Sequence, residues 1–159
     1  MLLIGARSMQ NFPLLIVAGR SGNPVFLKRG PGATIDEFLL AAEYVVNAGN
    51  PNVVLCERGI LPHDRSYTRN TLDLAAVPVL LEHTHLPVVV DPSHGTGVAR
   101  YVMPMAKAAM VVGAHGVMIE MHPEPGVALS DGSQALDVDQ FQDTMDELKK
   151  LSEFVGVSM

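Results

Sequence analysis

Five short apolar runs, at residues 1–4, 24–27, 53–55, 88–90 and 117–119, recur about every 30 residues with helix-patterned stretches between them. Such alternation leaves few folds open: parallel strands joined by right-handed helical crossovers. The fourth run, Val88-Val89-Val90, is β-branched throughout and bounded by Pro87 and Asp91-Pro92, and reads as a strand buried on both faces. The expected fold class is therefore α/β. At 159 residues, 48% hydrophobic and 18% charged, the chain is long and apolar enough for one domain with a core. No change of composition marks a linker, so residues 1–159 are read as one domain.

The intervening stretches carry helix signals. Thr34 is an N-cap with Glu37 three residues on, the capping-box spacing. Phe38, Leu39, Ala42, Val45 and Val46 then share one face, and Gly49 ends the helix. Asp137 caps a last helix through about residue 154, with acids early and Lys149-Lys150 late, as the helix dipole prefers. Helices are also predicted over 9–18, over 71–82 with a kink or break at Pro78, and over 98–112.

A net charge of −6 argues against a nucleic-acid partner or an acidic membrane surface. No apolar run reaches the roughly 20 residues of a membrane span, and the amino terminus does not read as a signal peptide. The single cysteine, Cys56, excludes an internal disulfide and reads as a small buried hydrophobe. A reducing, cytoplasmic setting is expected.

The chemistry collects where the strands end: Arg7; Lys28 and Arg29; Glu57 and Arg58; Asp91 and His94; Glu120 and His122. Parallel strands present all of these at one edge of the sheet, where α/β folds place their active sites. Arg7, Lys28 and Arg58 together suit a phosphate or a carboxylate. Arg20, Arg29 and Arg100 are read as solvated surface charges. His94 and Glu120, with Asp131 from the following loop, suit a divalent metal such as Mn²⁺, Fe²⁺ or Zn²⁺. Their spacing matches no metal motif, and His85 and His122 are read as structural or as supporting the ligands.

Six segments carry a resemblance: Ile4-Gly5-Ala6-Arg7; Leu27-Lys28-Arg29-Gly30; Cys56-Glu57-Arg58-Gly59-Ile60; Thr68-Arg69-Asn70-Thr71-Leu72-Asp73; the 86–94 stretch; and Ile119-Glu120-Met121-His122-Pro123-Glu124-Pro125 with Leu129-Ser130-Asp131-Gly132. In this order they resemble the 3-deoxy-D-arabino-heptulosonate 7-phosphate (DAHP) synthases, which are related to the 3-deoxy-octulosonate 8-phosphate synthases. The likeness runs from end to end of the chain. The opening Ile-Gly-Ala-Arg, with no cysteine–arginine pair, favours the heptulosonate member.

The resemblance implies a TIM (β/α)8 barrel that condenses phosphoenolpyruvate with erythrose 4-phosphate and releases phosphate, opening the shikimate pathway. It assigns Arg7 and Arg58 to the phosphate of phosphoenolpyruvate, and Lys28 to its carboxylate and reacting carbons. His94, Glu120 and Asp131 become three of four metal ligands, with Lys28 and His94 as the catalytic pair. Two family features have no match here: a ligand cysteine on the first strand, and a Lys-Pro-Arg-Thr segment that receives the aldose phosphate. Leu61-Pro62-His63-Asp64 also departs from the Arg-Thr more usual in relatives. The expectation is thus an incomplete barrel carrying strands 4–8, which self-associates or takes its other strands from a partner chain. Two other readings stay open: a catalytically silent protein that binds phosphoenolpyruvate and metal, and a Schiff-base aldolase acting through Lys28.

Overall fold

The five runs pair into one sheet, with each strand hydrogen-bonded in parallel to its successor. In the computed structural model, which describes residues 1–156, these are β1 (Leu2–Ile4), β2 (Val25–Lys28), β3 (Val53–Glu57), β4 (Val88–Val90) and β5 (Gly116–Val117). The order β1-β2-β3-β4-β5 never reverses, so the sheet is wound in one direction, like the wall of a barrel and unlike a doubly wound sheet.

Helices α1 (Phe12–Arg20), α2 (Ile35–Asn47), α3 (Ala76–His83), α4 (Pro92–Thr96), α5 (Ala99–Val111) and α6 (Val138–Val155) fill the connections. Alternation along the strands separates two faces. Val25, Leu27, Val53, Leu55, Val88 and Val90 are essentially inaccessible and belong to the main core cluster with Leu15, Phe38, Val45 and Leu80 of the helices. Phe26, Val54 and Val89 face the other way and are only half-buried, and Leu3 is 52% exposed. The middle residue of β4 is thus less covered than a strand buried on both sides requires. A cavity of about 410 Å³ lined by Met1, Leu3, Phe26, Val89, Val117 and Met118 opens on this second face. Lys28 and Cys56, partners in the β2–β3 register, lie on it too, at its carboxyl end.

The Thr34–Glu37 capping box forms, and Asp137 caps α6 as expected, with Gln140 completing a second box. Several boundaries move for local reasons. The first helix starts at Phe12, because Asn11 accepts a hydrogen bond from the Leu14 amide and Pro13 suits the first turn. The third starts at Ala76, which puts Pro78 in its first turn, where its absent N–H has no intrahelical partner to lose; there is no break to explain. The fifth strand ends at Val117 instead of Ile119: β4 has finished, and the Glu120 amide donates to the Ser93 hydroxyl. The short helix α4 was not foreseen. Asp91 caps it, Pro92 starts it, and Gly97 closes it in the left-handed region at φ 71°.

Helices α1 and α2 meet at Gly19. A Cβ there would lie 2.7 Å from both Ala48 Cβ and Val45 O. Ala for Gly inside a helix ordinarily gains about 0.5–1 kcal/mol, but overpacking against backbone costs about 1–3 kcal/mol. Gly19→Ala is therefore expected to destabilise the protein by about 1 kcal/mol or more, read from the midpoint of urea unfolding. An unchanged or raised midpoint would show that the two helices separate freely.

Candidate active site

The Asp91-Pro92-Ser93-His94 turn sets the geometry. Asp91 Oδ1 accepts the backbone N–H of His94 at 2.9 Å, which folds the imidazole back over the same carboxylate. Asp91 Oδ2 then lies 2.7 Å from His94 Nδ1 and 2.7 Å from Lys28 Nζ. Asp91 is wholly inaccessible and Lys28 is 6% exposed. Burial is the largest single influence on the Asp91 carboxyl and pushes its pKa up; the contacts from His94 and Lys28 together outweigh it and hold the group below its ordinary value. With Asp91 ionised, Nδ1 carries the imidazole proton and Nε2 is left to face outward.

What Nε2 faces is Glu120 Oε1, 3.2 Å away. A lone pair opposite a carboxylate oxygen requires a proton or a cation between them. Asp131 completes the group: one ligand atom from each of His94, Glu120 and Asp131 lies within 4.8 Å of the others. Asp131 sits at φ 56°, the one non-glycine residue at positive φ among the described residues, and its carbonyl accepts the Gln134 and Ala135 amides. One imidazole and two carboxylates fit a divalent cation of the Mn²⁺, Fe²⁺ or Zn²⁺ kind.

Arg58 follows β3 and is 8% exposed, yet among the described residues its guanidinium has no hydrogen-bond partner. Burial lowers its pKa most, and the Asp91 charge acts in the opposite direction. A largely covered arginine whose guanidinium has no acceptor and still reaches solvent is suited to an incoming anion. Arg7 lies in the 3-10 turn Ala6–Ser8 after β1 and is exposed. It lines a separate cleft with Gly30-Pro31-Gly32 and Glu37, and makes no contact with the Lys28–Asp91–His94 group.

Arg29 corrects the expectation of a solvated charge: it is 4% exposed. Its Nη1 donates to Glu57 Oε2 and Asp73 Oδ2, each at 2.9 Å, and its Nε donates to Ala33 O. The register explains this. Lys28 pairs with Cys56 on the second face, so the next residues, Arg29 and Glu57, turn together toward the helix layer, where neither charge reaches water alone. Glu57 Oε1 also accepts the Gly59 amide at 2.6 Å and so holds the loop carrying Arg58. Burial keeps the Glu57 carboxyl above its ordinary pKa, and Arg29 offsets only part of that.

Arg20 and Arg100 are exposed as expected, Arg100 lying over the Tyr101 ring. Cys56 is buried, with its thiol pKa pushed well up by desolvation. His122 Nδ1 accepts the Glu124 amide, and His85 lines a cavity of about 540 Å³ between α2 and the turn after α3, beyond the opposite ends of the strands. Sequence reasoning missed Gln134 and Arg69, which brace Glu120 and Asp131. Neither residue has a spacing that would have marked it.

The DAHP synthetase I family matches residues 1–155. Phospho-2-dehydro-3-deoxyheptonate aldolase of Thermotoga maritima is 53% identical over 156 residues, covering 98% of this chain and 46% of that protein. A 2-dehydro-3-deoxyphosphooctonate aldolase of Syntrophobacter fumaroxidans is 33% identical over 153 residues, covering 89% of this chain and 52% of the relative. Among solved structures, a truncated form of 3-deoxy-D-arabino-heptulosonate 7-phosphate synthase from Thermotoga maritima matches with a TM-score of 0.96 at 52% identity, covering 98% of this chain and 59% of that one. The chain spans about half the length of the curated relatives it matches.

Removing Arg29 leaves Glu57 charged and buried without its partner. Arg29→Leu is expected to destabilise the protein by about 3–5 kcal/mol. Glu57 then has a folded pKa further above its unfolded one, so stability recovers as pH falls and the group takes up a proton. Urea unfolding at pH 8 and pH 5 checks this. An equal loss at both, or none, would return Arg29 to the surface.

Proposed function

The chain belongs to the DAHP synthetase I family, and on that footing we propose that it supplies the phosphoenolpyruvate- and metal-holding part of a DAHP synthase. In this reading β1–β5 are strands 4–8 of a (β/α)8 barrel. The reaction joins C3 of phosphoenolpyruvate to the aldehyde carbon of erythrose 4-phosphate, with water entering and phosphate leaving. The protein works in the cytoplasm. The carrying observation is the Asp91 oxygen shared by Lys28 and His94, which ties a substrate cation to a metal-ligand imidazole in one crevice.

The roles follow from the contacts. Arg58, covered and without an acceptor, receives the phosphate of phosphoenolpyruvate. Arg7, at the neighbouring cleft, is assigned to the same phosphate by the family resemblance alone. Lys28, fixed by Asp91, donates to the carboxylate and keeps the enol in line with the aldehyde. Its commitment to that buried ion pair argues against a Schiff base, which needs the free amine. His94, Glu120 and Asp131 hold the divalent ion through Nε2 and two carboxylate oxygens. When bound, that ion supplies Lewis acidity toward the aldehyde oxygen or toward a water. Asp91 holds the imidazole proton on Nδ1 throughout.

The half-covered second face, with Leu3, Phe26, Val54 and Val89, is taken in this reading as barrel interior. A second copy or a partner chain would cover it.

Two measurements test the site. Phosphate release from phosphoenolpyruvate by the completed barrel should require both erythrose 4-phosphate and Mn²⁺. Binding of phosphoenolpyruvate by the isolated chain without turnover fits a silent binder or the need for partner strands. Absence of turnover after the missing strands are supplied would leave the silent binder. Arg58→Ala should weaken phosphoenolpyruvate binding by about 2 kcal/mol, on the order of one charge-assisted hydrogen bond. His94→Ala should abolish Mn²⁺ retention, and unchanged metal content in that variant would remove His94 from the ligand set.

A further inference from the structure

Gln134 is 1% exposed, an amide side chain set in the loop after Asp131. Its Nε2 donates to Glu120 Oε2 at 2.8 Å, and its Oε1 accepts from Arg69 Nη1 at 3.0 Å. The same Nη1 donates to Asp131 Oδ1 at 2.8 Å. The orientation of the amide is forced, because an ionised carboxylate only accepts and a guanidinium only donates. One nitrogen with two hydrogens meets two acceptors, so the chain Glu120–Gln134–Arg69–Asp131 is closed.

The consequence lies in which oxygens remain. Oε2 of Glu120 is engaged by Gln134, and its other oxygen, Oε1, is the one facing His94 Nε2. Oδ1 of Asp131 is engaged by Arg69, leaving Oδ2. Each carboxylate thus has one oxygen already accepting a hydrogen bond, which competes with a bidentate grip and favours presenting the other oxygen to an ion. Ca²⁺ favours six to eight oxygen ligands and takes carboxylates in bidentate fashion, whereas smaller transition ions are content with fewer ligands and accept imidazole.

We propose that Gln134 and Arg69 are positioning residues that tune metal specificity, biasing Glu120 and Asp131 toward one-oxygen ligation and so disfavouring Ca²⁺ against Mn²⁺. The inference rests on the reading of His94, Glu120 and Asp131 as the metal-holding group. Neither residue touches the ion. Loss of the Arg69 charge raises affinity for any divalent cation, so the ratio of affinities isolates the geometric effect.

The experiment is calorimetric titration of the whole chain with Mn²⁺ and with Ca²⁺, for wild type, Gln134→Leu, Arg69→Met and His94→Ala, with folding checked by circular dichroism. The preference for Mn²⁺ over Ca²⁺ is expected to narrow about tenfold in both clasp variants. Arg69, whose side chain is half exposed, keeps the test alive if Gln134→Leu does not fold. A ratio within threefold of wild type in Arg69→Met, with binding abolished by His94→Ala, overturns this inference and leaves the metal site standing. Wild-type Mn²⁺ binding that is absent, or that His94→Ala leaves unchanged, overturns both.

Discussion

A single carboxylate oxygen, Oδ2 of Asp91, is what the rest of the site is arranged around. Burying an ion this deeply carries a penalty of several kcal/mol, which only close and well-directed partners offset. Asp91 has three: the Lys28 ammonium, the His94 ring N–H and, on its other oxygen, the His94 amide. Two of these come from its own turn. The N-cap that starts α4 is therefore also the device that aims the imidazole, and a helix of five residues exists chiefly to make that turn. Removing the acid would unfold the cap, free the ring and leave Lys28 buried without a counter-charge.

A second buried pair, Arg29 with Glu57, sits one residue further along the same two strands and does different work. Strand alternation sends Lys28 and Cys56 to the second face and Arg29 and Glu57 to the helix layer. The first cation meets the crevice. The second fastens β2 to β3 and, through the Gly59 amide, fixes the loop that carries Arg58. Two adjacent basic residues thus separate into a crevice-side group and a structural one by the pleat alone.

Most of the framework was legible in the sequence because its signals are local. The capping box at Thr34, the N-cap at Asp137, β-branched strands and charges at their carboxyl ends need no knowledge of neighbours. What escaped depends on partners distant in sequence. Arg29 reads as a surface charge until the β2–β3 register places Glu57 opposite it, 28 residues away. Pro78 reads as a break until the helix start is known to fall at Ala76. Gln134 and Arg69 lie 65 residues apart, and no periodicity announces a loop amide that bridges to a guanidinium. Arg7 was grouped with the other cations by its strand position, but its turn leaves it exposed at a separate cleft.

The charge balance of the crevice connects its two halves. Lys28, Arg58 and Arg69 contribute three positive charges, and Asp91, Glu120 and Asp131 three negative ones, so with His94 neutral the set sums to zero. Phosphoenolpyruvate, a phosphate dianion with a carboxylate, would on entering alone leave this partly exposed set strongly negative, and a divalent cation alone would leave it positive. Together they come close to balance. Each then lowers the electrostatic cost of the other, and by linkage the coupling must be reciprocal. The Asp91 oxygen lies between them, in contact with a group from each half, so the two binding events of the proposed reaction are joined by one fixed charge as well as by long-range attraction.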